Sequence, residues 1–291
     1  IASAIAGRTT RIKIGTAVNV LPLGNPLRIA EEASTLDHVS QGRLEFGVGR
    51  SSVPVAYQGY NIPYGESHER FYEFLEIIIR AWSNESFSYK GNYYSFHDVC
   101  LVPKPYQKPH PPIRIAATTA ETFPIIGRMG FPVFIGLRSQ GTTEVAEQVR
   151  AYKQAWEEAA HQGPIDVFLR VPVYVAETKK QALSEPQESF MGQIRRRASQ
   201  LTKSADTPGT DPKDQRAERG QRLANLTWDQ IIREKVVVGT PEMVVDRLRE
   251  MKDTLHLSGV LAEFHADDPI PREQVARSLR LFCDKVVPEF K

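Results

Sequence analysis

Arg50 stands directly after the apolar run LEFGVG, at the point where a strand ends and its last residues face a ligand rather than the core. Thr118, Thr119 and Thr122 lie where the buried run IRIAA passes into a helix, so free backbone N–H groups and the helix dipole favour an anion beside their hydroxyls. A guanidinium and a helix start are what a phosphate group needs, because its bonds to them are charge-assisted. A plainer arrangement uses the same residues, with Arg50 in a rim ion pair and the threonines as ordinary caps. Gly136 closes PVFIGL and either lets a flat ligand approach the backbone or simply makes the turn. His265 ends the run GVLAEFHA and reaches the same rim, where an imidazole can act as acid or base. Glu263 faces the same side of that run and is a carboxylate to be satisfied in the interior. His38 and His161 read as surface residues, and His68, His97, His110 and His256 fall in arms or at helix ends.

These residues depend on strands and helices for their placement. Residues 11–50 read strand, turn, helix, turn, strand: RIKIGTAVNVL is apolar and β-branched, LRIAEEASTLDHVS carries apolar residues at helical spacing, and Gly42 suits a left-handed helix end. One βαβ unit has parallel strands and a right-handed crossover, which brings the two strand ends out on one rim. The segment SHERFYEFLEIIIRAWSN follows as a helix, with Ser67 as its cap and Phe71, Phe74, Leu75, Ile78 and Trp82 as its buried stripe. A hairpin and a proline-stiffened arm with prolines at 103, 105, 109, 111 and 112 come next. Strands are expected at 11–21, 43–49, 113–117, 132–137, 167–176 and 259–265, each followed by a helix. This alternation favours an α/β barrel, and a closed (β/α)8 barrel needs two more strands. Residues 179–229 lose the pattern and read as an insertion; within it SADTPGTDPKDQRAERG has no large apolar residue and is expected to be mobile, without a fixed helix.

Composition narrows the function classes. A net charge of +2 from nearly balanced acids and bases gives no electrostatic case for nucleic acid or an anionic membrane. The Arg195 to Arg197 run reads as a solvated helix face, since acids return nearby and no aromatic residues interleave. No apolar run approaches the ~20 residues of a membrane span, and the first residues are not a signal peptide, so a cytoplasmic protein is expected. Cys100 and Cys283 have no metal-ligand spacing, and neither a disulfide framework nor a metal site is expected. GVGRSS is not followed directly by a helix, so stable NAD binding is not expected either.

The stretches RIKIGTAVNVLPLGNPLRIAEEASTLDHVSQGRLEFGVGR, PPIRIAATTAETFPIIGRMGF, VVVGTPEMVVDRL and SLRLFCDKVVPEF, in this order and spacing, resemble the bacterial-luciferase-like flavin-dependent monooxygenases. The resemblance covers essentially the whole chain. It implies residues 1–291 as one (β/α)8 TIM-barrel domain with an insertion or lid at about 179–229, taking reduced FMN from a separate flavin reductase and using oxygen on a small organic substrate. It implies a homodimer as well. Deazaflavin-dependent hydride transfer and a catalytically silent flavin-binding subunit are the alternatives. By the same resemblance Arg50, Thr118, Thr119 and Thr122 line the phosphate pocket, and Ala17 and Val18 occupy a bulge with a non-prolyl cis peptide behind the flavin ring, with Thr16 and Asn19 beside them. Family members carry two strands, and in many branches a catalytic histidine, ahead of the position matching Ile1, which implies an N-terminally truncated barrel.

Overall fold

The run expected as one strand from residue 11 to 21 is broken in two. In a computed structural model, which describes residues 1–137, 140–264 and 270–290, only Ile14–Gly15 (β1) and Asn19–Val20 (β2) are extended, and the Ala17–Val18 peptide between them is cis. A cis peptide reverses the chain locally and cannot continue a pleated strand. Both pieces still pair in parallel with Leu44–Gly49 (β3), Ile14 opposite Leu44 and Asn19 opposite Val48. The chain divides into two compact units, Ile1–Ala116 with Thr207–Thr210, and Ala117–Asp206 with Asp211–Lys291.

In the first unit a short helix, α1 (Ala2–Ala6), is held by Arg43, whose guanidinium donates to the carbonyls of Ala6, Thr9 and Ile12 at 2.8–2.9 Å. The crossover helix α2 (Pro26–Val39) starts where Asn25 Oδ1 accepts from the N–H groups of Leu27 and Arg28 and Pro26 fills the first position. After β3 come α3 (Pro54–Gly59) and α4 (Ser67–Ser83). The expected stripe of α4 is buried, and Trp82 donates from Nε1 to Ala30 O of α2 while its ring meets Phe46 edge-on. The polar excursion forms the expected antiparallel hairpin, β4 (Phe87–Lys90) with β5 (Ser95–Val99). Its proline arm is anchored on buried Asp37, which accepts from Gln107 N and Nε2 at 2.8 Å. Ile113–Ala116 (β6) then pairs in parallel with β3.

The second unit repeats strand and helix: α5 (Thr122–Met129), β7 (Val133–Gly136), α6 (Thr142–Glu158) and β8 (Val167–Val175). Residues 179–229, expected as an insertion, form α7 (Lys179–Ser184), α8 (Gln187–Lys203), α9 (Arg216–Ala224) and the start of α10 (Trp228–Glu234), and α9 takes in residues 216–220 of the stretch expected to have no fixed helix. The reason lies in spacing rather than composition. Phe190, Ile194, Ala198 and Leu201 recur at helical intervals and are buried with Tyr174, Leu223, Ile231 and Val236 in one apolar cluster. Gly220 lets α9 lie on α8, since a Cβ there would come within 2.3 Å of Thr202 Oγ1. Arg195 is exposed, as a solvated face requires, while Arg196 and Arg197 are half-buried.

VVVG, which reads only as an apolar stretch, supplies a further strand, β9 (Val237–Gly239), before α11 (Pro241–Leu255), β10 (Gly259–Glu263) and α12 (Arg272–Leu281). β8 is long enough to pair twice on one course, its residues 168–172 with β10 and 173–175 with β9, while β7 pairs with its beginning. The architecture is α/β with parallel strands, the pattern of an incomplete (β/α)8 barrel.

Candidate functional site

Arg50 follows β3 immediately and turns its guanidinium toward the start of α4. Nη1 donates to Ser67 Oγ at 2.9 Å, and the guanidinium carbon lies 5.3 Å from the centre of the Tyr64 ring. Ser67 was expected to cap α4, yet it is the first helical residue and its hydroxyl receives Arg50 instead. Beneath them Tyr57 is fully buried, donates its hydroxyl to Arg50 O, and meets Tyr64 edge-on at 5.2 Å. Burial holds the Tyr57 phenol well above its ordinary pKa, with the Arg50 charge opposing the shift.

No carboxylate pairs with Arg50 among the described residues, so the rim ion pair is not what the structure contains. A cation therefore stands at the positive end of a 17-residue helix with only neutral partners. Such an arrangement is poor for an isolated cation and good for an anion.

Ala17 and Val18 lie in the break between β1 and β2. Thr16 bridges that break, its hydroxyl donating to Gly47 O at 2.8 Å and accepting from Gly47 N at 3.0 Å, in place of a ladder bond that the interrupted strand cannot make. Val18 occupies the space a side chain at Gly49 would need: a Cβ there would be 2.7 Å from Val18 Cγ2. Thr16 and Asn19 also line a cleft of about 460 Å³ with Arg28, Glu32, Leu36 and Phe46, on the α2 side of the strand break.

In the second unit Thr118 is exposed and Thr119 is buried, and the Thr119 and Thr122 hydroxyls are hydrogen-bonded at 2.7 Å. Neither caps α5, whose N-cap position is Glu121 and has no side-chain bond. Gly136 ends β7, and a Cβ there would meet nothing closer than Arg170 O at 3.6 Å, so no close approach within the described chain demands glycine. Glu263 pairs with Arg170 at 2.7 Å and is satisfied as expected. His265 lies outside the described residues. His38 and His161 each bond a backbone carbonyl, Lys104 O and Arg128 O, as structural residues do. No group of three or more metal-binding side chains occurs among the described residues.

The structure thus groups Arg50 with Tyr57 and Tyr64, which the sequence does not mark, and with Ser67, which it marks only as a helix cap. Only the recurrence of tyrosines in VAYQGYNIPYGES carries a trace of it.

Residues 1–257 match the family of luciferase-like monooxygenases. Among curated relatives, 4-hydroxyprotoasukamycin monooxygenase of Streptomyces nodosus subsp. asukaensis is 28% identical over 98% of this chain and 76% of that protein. The oxygenase component of flavin-dependent trigonelline monooxygenase from Acinetobacter baylyi is 22% identical over 98% of this chain and 78% of its own length. A Sinorhizobium fredii protein, y4wF, is 38% identical over 120 residues, which is 41% of this chain and 35% of that protein. In structure, the monooxygenase RslO1 from Streptomyces bottropensis superposes with a TM-score of 0.80 at 24% identity, over all of this chain and 82% of that one. The oxygenating constituent of 3,6-diketocamphane monooxygenase from Pseudomonas putida, in complex with FMN, has a TM-score of 0.78 at 19% identity over 99% of this chain and 82% of that one. The coenzyme F420 dependent tetrahydromethanopterin reductase of Methanopyrus kandleri has a TM-score of 0.75 at 16% identity, over all of this chain and 86% of that one. The chain therefore belongs to the family of luciferase-like monooxygenases, and with them to the flavin-dependent monooxygenases.

Proposed function

We propose that this chain is the oxygenating component of a two-part system, in which a separate flavin reductase supplies reduced FMN and the chain uses it with molecular oxygen on a small organic substrate. The observation that carries the reading is the Arg50 guanidinium at the start of α4, with no carboxylate partner among the described residues. That is a fit for the FMN phosphate, the one part of the cofactor that needs fixed positive charge. The names of two relatives, an oxygenase component and an oxygenating constituent bound to FMN, support the division of labour. In the same reading Ala17, Val18, Thr118, Thr119, Thr122 and Gly136 bind the flavin, and the working protein is a homodimer of single luciferase-like domains. Reduced flavin, when bound, supplies the electrons that let oxygen attack the substrate. The protein's part is to hold the phosphate, support the ring and exclude water.

A charge-assisted contact of the Arg50 type contributes about 1.5–3 kcal/mol. Arg50→Ala is accordingly expected to weaken FMN about tenfold or more and riboflavin much less, measured by flavin fluorescence titration. Equal losses for both ligands overturn the phosphate role. Oxygen uptake with reduced FMN, against turnover with a reduced deazaflavin, tests the activity. The deazaflavin reading is favoured by the F420-dependent structural neighbour, and turnover with deazaflavin alone would establish it.

A further inference from the structure

Lys235 follows α10 and is 5% exposed, and its ammonium donates to the backbone carbonyl of Gln140 at 2.5 Å. An ammonium has three donors, so one neutral oxygen answers neither its charge nor all of its N–H bonds. Gln140 is itself buried and immediately precedes Gly141, the N-cap of α6, where no side chain caps the free N–H groups. The ammonium thus stands at the positive end of a 17-residue helix, a poor place for a cation alone.

Two guanidinium groups of α9 add to it. Arg219 is half-buried: its Nη1 donates to Asp214 O at 3.4 Å, beyond the usual range of such bonds, and its Nε is buried and meets no acceptor among the described residues. Arg222 is exposed, and its charge acts on both Arg219 and Lys235. The nearby acids are engaged elsewhere. Asp214 pairs with Arg216 at 3.6 Å, Glu144 accepts from Gln140 Nε2 at 3.1 Å, and no carboxylate is within ion-pair distance of Lys235, Arg219 or Arg222 among the described residues. Burial holds the Lys235 ammonium below its ordinary pKa; Glu234 and Glu144 oppose that shift, and Arg222 and Arg219 add to it. Three cations that repel one another, one of them buried, are an arrangement that a bound anion relieves.

We propose that Lys235, Arg219 and Arg222, with the uncapped start of α6, form an anion site besides Arg50 that takes the carboxylate of an organic acid, and that the small organic substrate is such an acid. The substrate assignment rests on the function proposed above, whereas the anion site stands on its own residues. A carboxylate suits it better than a phosphate, because Glu144 acts on both Lys235 and Arg219 and repels a dianion more strongly than a monoanion. Gly136, which in that function binds the flavin, is four residues from Gln140, a span of at most about 14 Å. An acid held at Lys235 by its carboxylate therefore reaches the ring with a body of small-molecule size.

Isothermal titration calorimetry of the full chain without flavin reads the site, with benzoate and hexanoate as probes, benzamide and hexanamide as their neutral counterparts, and inorganic phosphate as the competing anion. At least one carboxylate is expected to bind about tenfold more tightly than its amide and more tightly than phosphate. Arg219→Gln is expected to weaken that carboxylate about tenfold and its amide not at all. Arg222→Gln, at an exposed position where folding is not at stake, is expected to weaken it about threefold. Carboxylates that bind no better than their amides overturn the site, and so does a carboxylate whose affinity neither variant changes. Preference for phosphate overturns the assignment to organic acids. Among compounds that raise oxygen uptake with reduced FMN, acids are expected and their methyl esters are not; an ester that turns over as well as its acid overturns the substrate class. FMN binding keeps the two proposals apart. A chain that binds a carboxylate through Arg219 but does not bind FMN refutes the flavin function and upholds the anion site, whereas FMN binding without carboxylate preference refutes the anion site alone.

Discussion

At the scale of single residues, the decisive feature is a cation with no counter-charge among the described residues. Arg50 is legible in sequence because it ends an apolar run at the rim of an α/β fold. Its partners are not, because Tyr57, Tyr64 and Ser67 reach it through turns whose shape no local pattern specifies. Tyr57 carries a consequence for pH. Burial raises its folded pKa above the ordinary 10.0, so the stability it contributes is fully present below that pH and is lost as pH rises toward the folded value, where the unfolded chain ionises first. Tyr57→Phe keeps the ring and removes the ionisable group. It is expected to cost about 1 kcal/mol at neutral pH for the bond to Arg50 O, and to make the fall in stability at alkaline pH shallower. Urea denaturation at both pH values checks it, and an unchanged alkaline slope counts against the assignment of that slope to Tyr57.

At the scale of elements, the insertion shows how composition misleads. Its charge and its prolines describe the surface and the tip correctly. They say nothing of Phe190, Ile194, Ala198 and Leu201, four residues that make α8 a helix with one buried face. Phe190→Ala removes the largest side chain of that face, which is fully buried. A loss of about 3–5 kcal/mol is the ordinary cost of such a cavity. Hydrogen exchange is expected to show it first in α7 to α10, with β3 and α4 less affected; uniform loss of protection across the chain would mean that the insertion has no stability of its own. The break between β1 and β2 is a second case. TAVN reads as strand because its residues prefer one, and only the pairing of both pieces with β3 around a cis peptide decides otherwise.

At the scale of the whole molecule, β1 and β2 form one of the two edges of the parallel sheet among the described residues. Among the described residues β1 and β2 pair with β3 and with nothing else, and Gly15 is exposed on that edge. An unpaired edge recruits other strands, and natural sheets guard such edges with lysine. The 291-residue chain is expected to self-associate at micromolar concentration, and Gly15→Lys, whose first side-chain atom meets Glu45 O at 3.7 Å and Glu45 Cβ at 3.8 Å, both ordinary contacts, is expected to reduce this. Sedimentation velocity distinguishes the outcomes. Association unaltered by Gly15→Lys would place it elsewhere on the surface.

What the sequence determined by itself is what local chemistry determines: alternating apolar runs and amphipathic stripes set the α/β class, the order of strands and helices, and Arg50 at a strand end. Tertiary structure alone decided where α4 begins, that VVVG pairs with β8, that the insertion shares a core with Tyr174 and Val236, and that Gly209 rests on Gly65. The division is physical. Hydrophobic periodicity is a property of neighbours in the chain, whereas the partner of a hydroxyl, a guanidinium or a bare backbone is chosen by residues that only folding brings within reach.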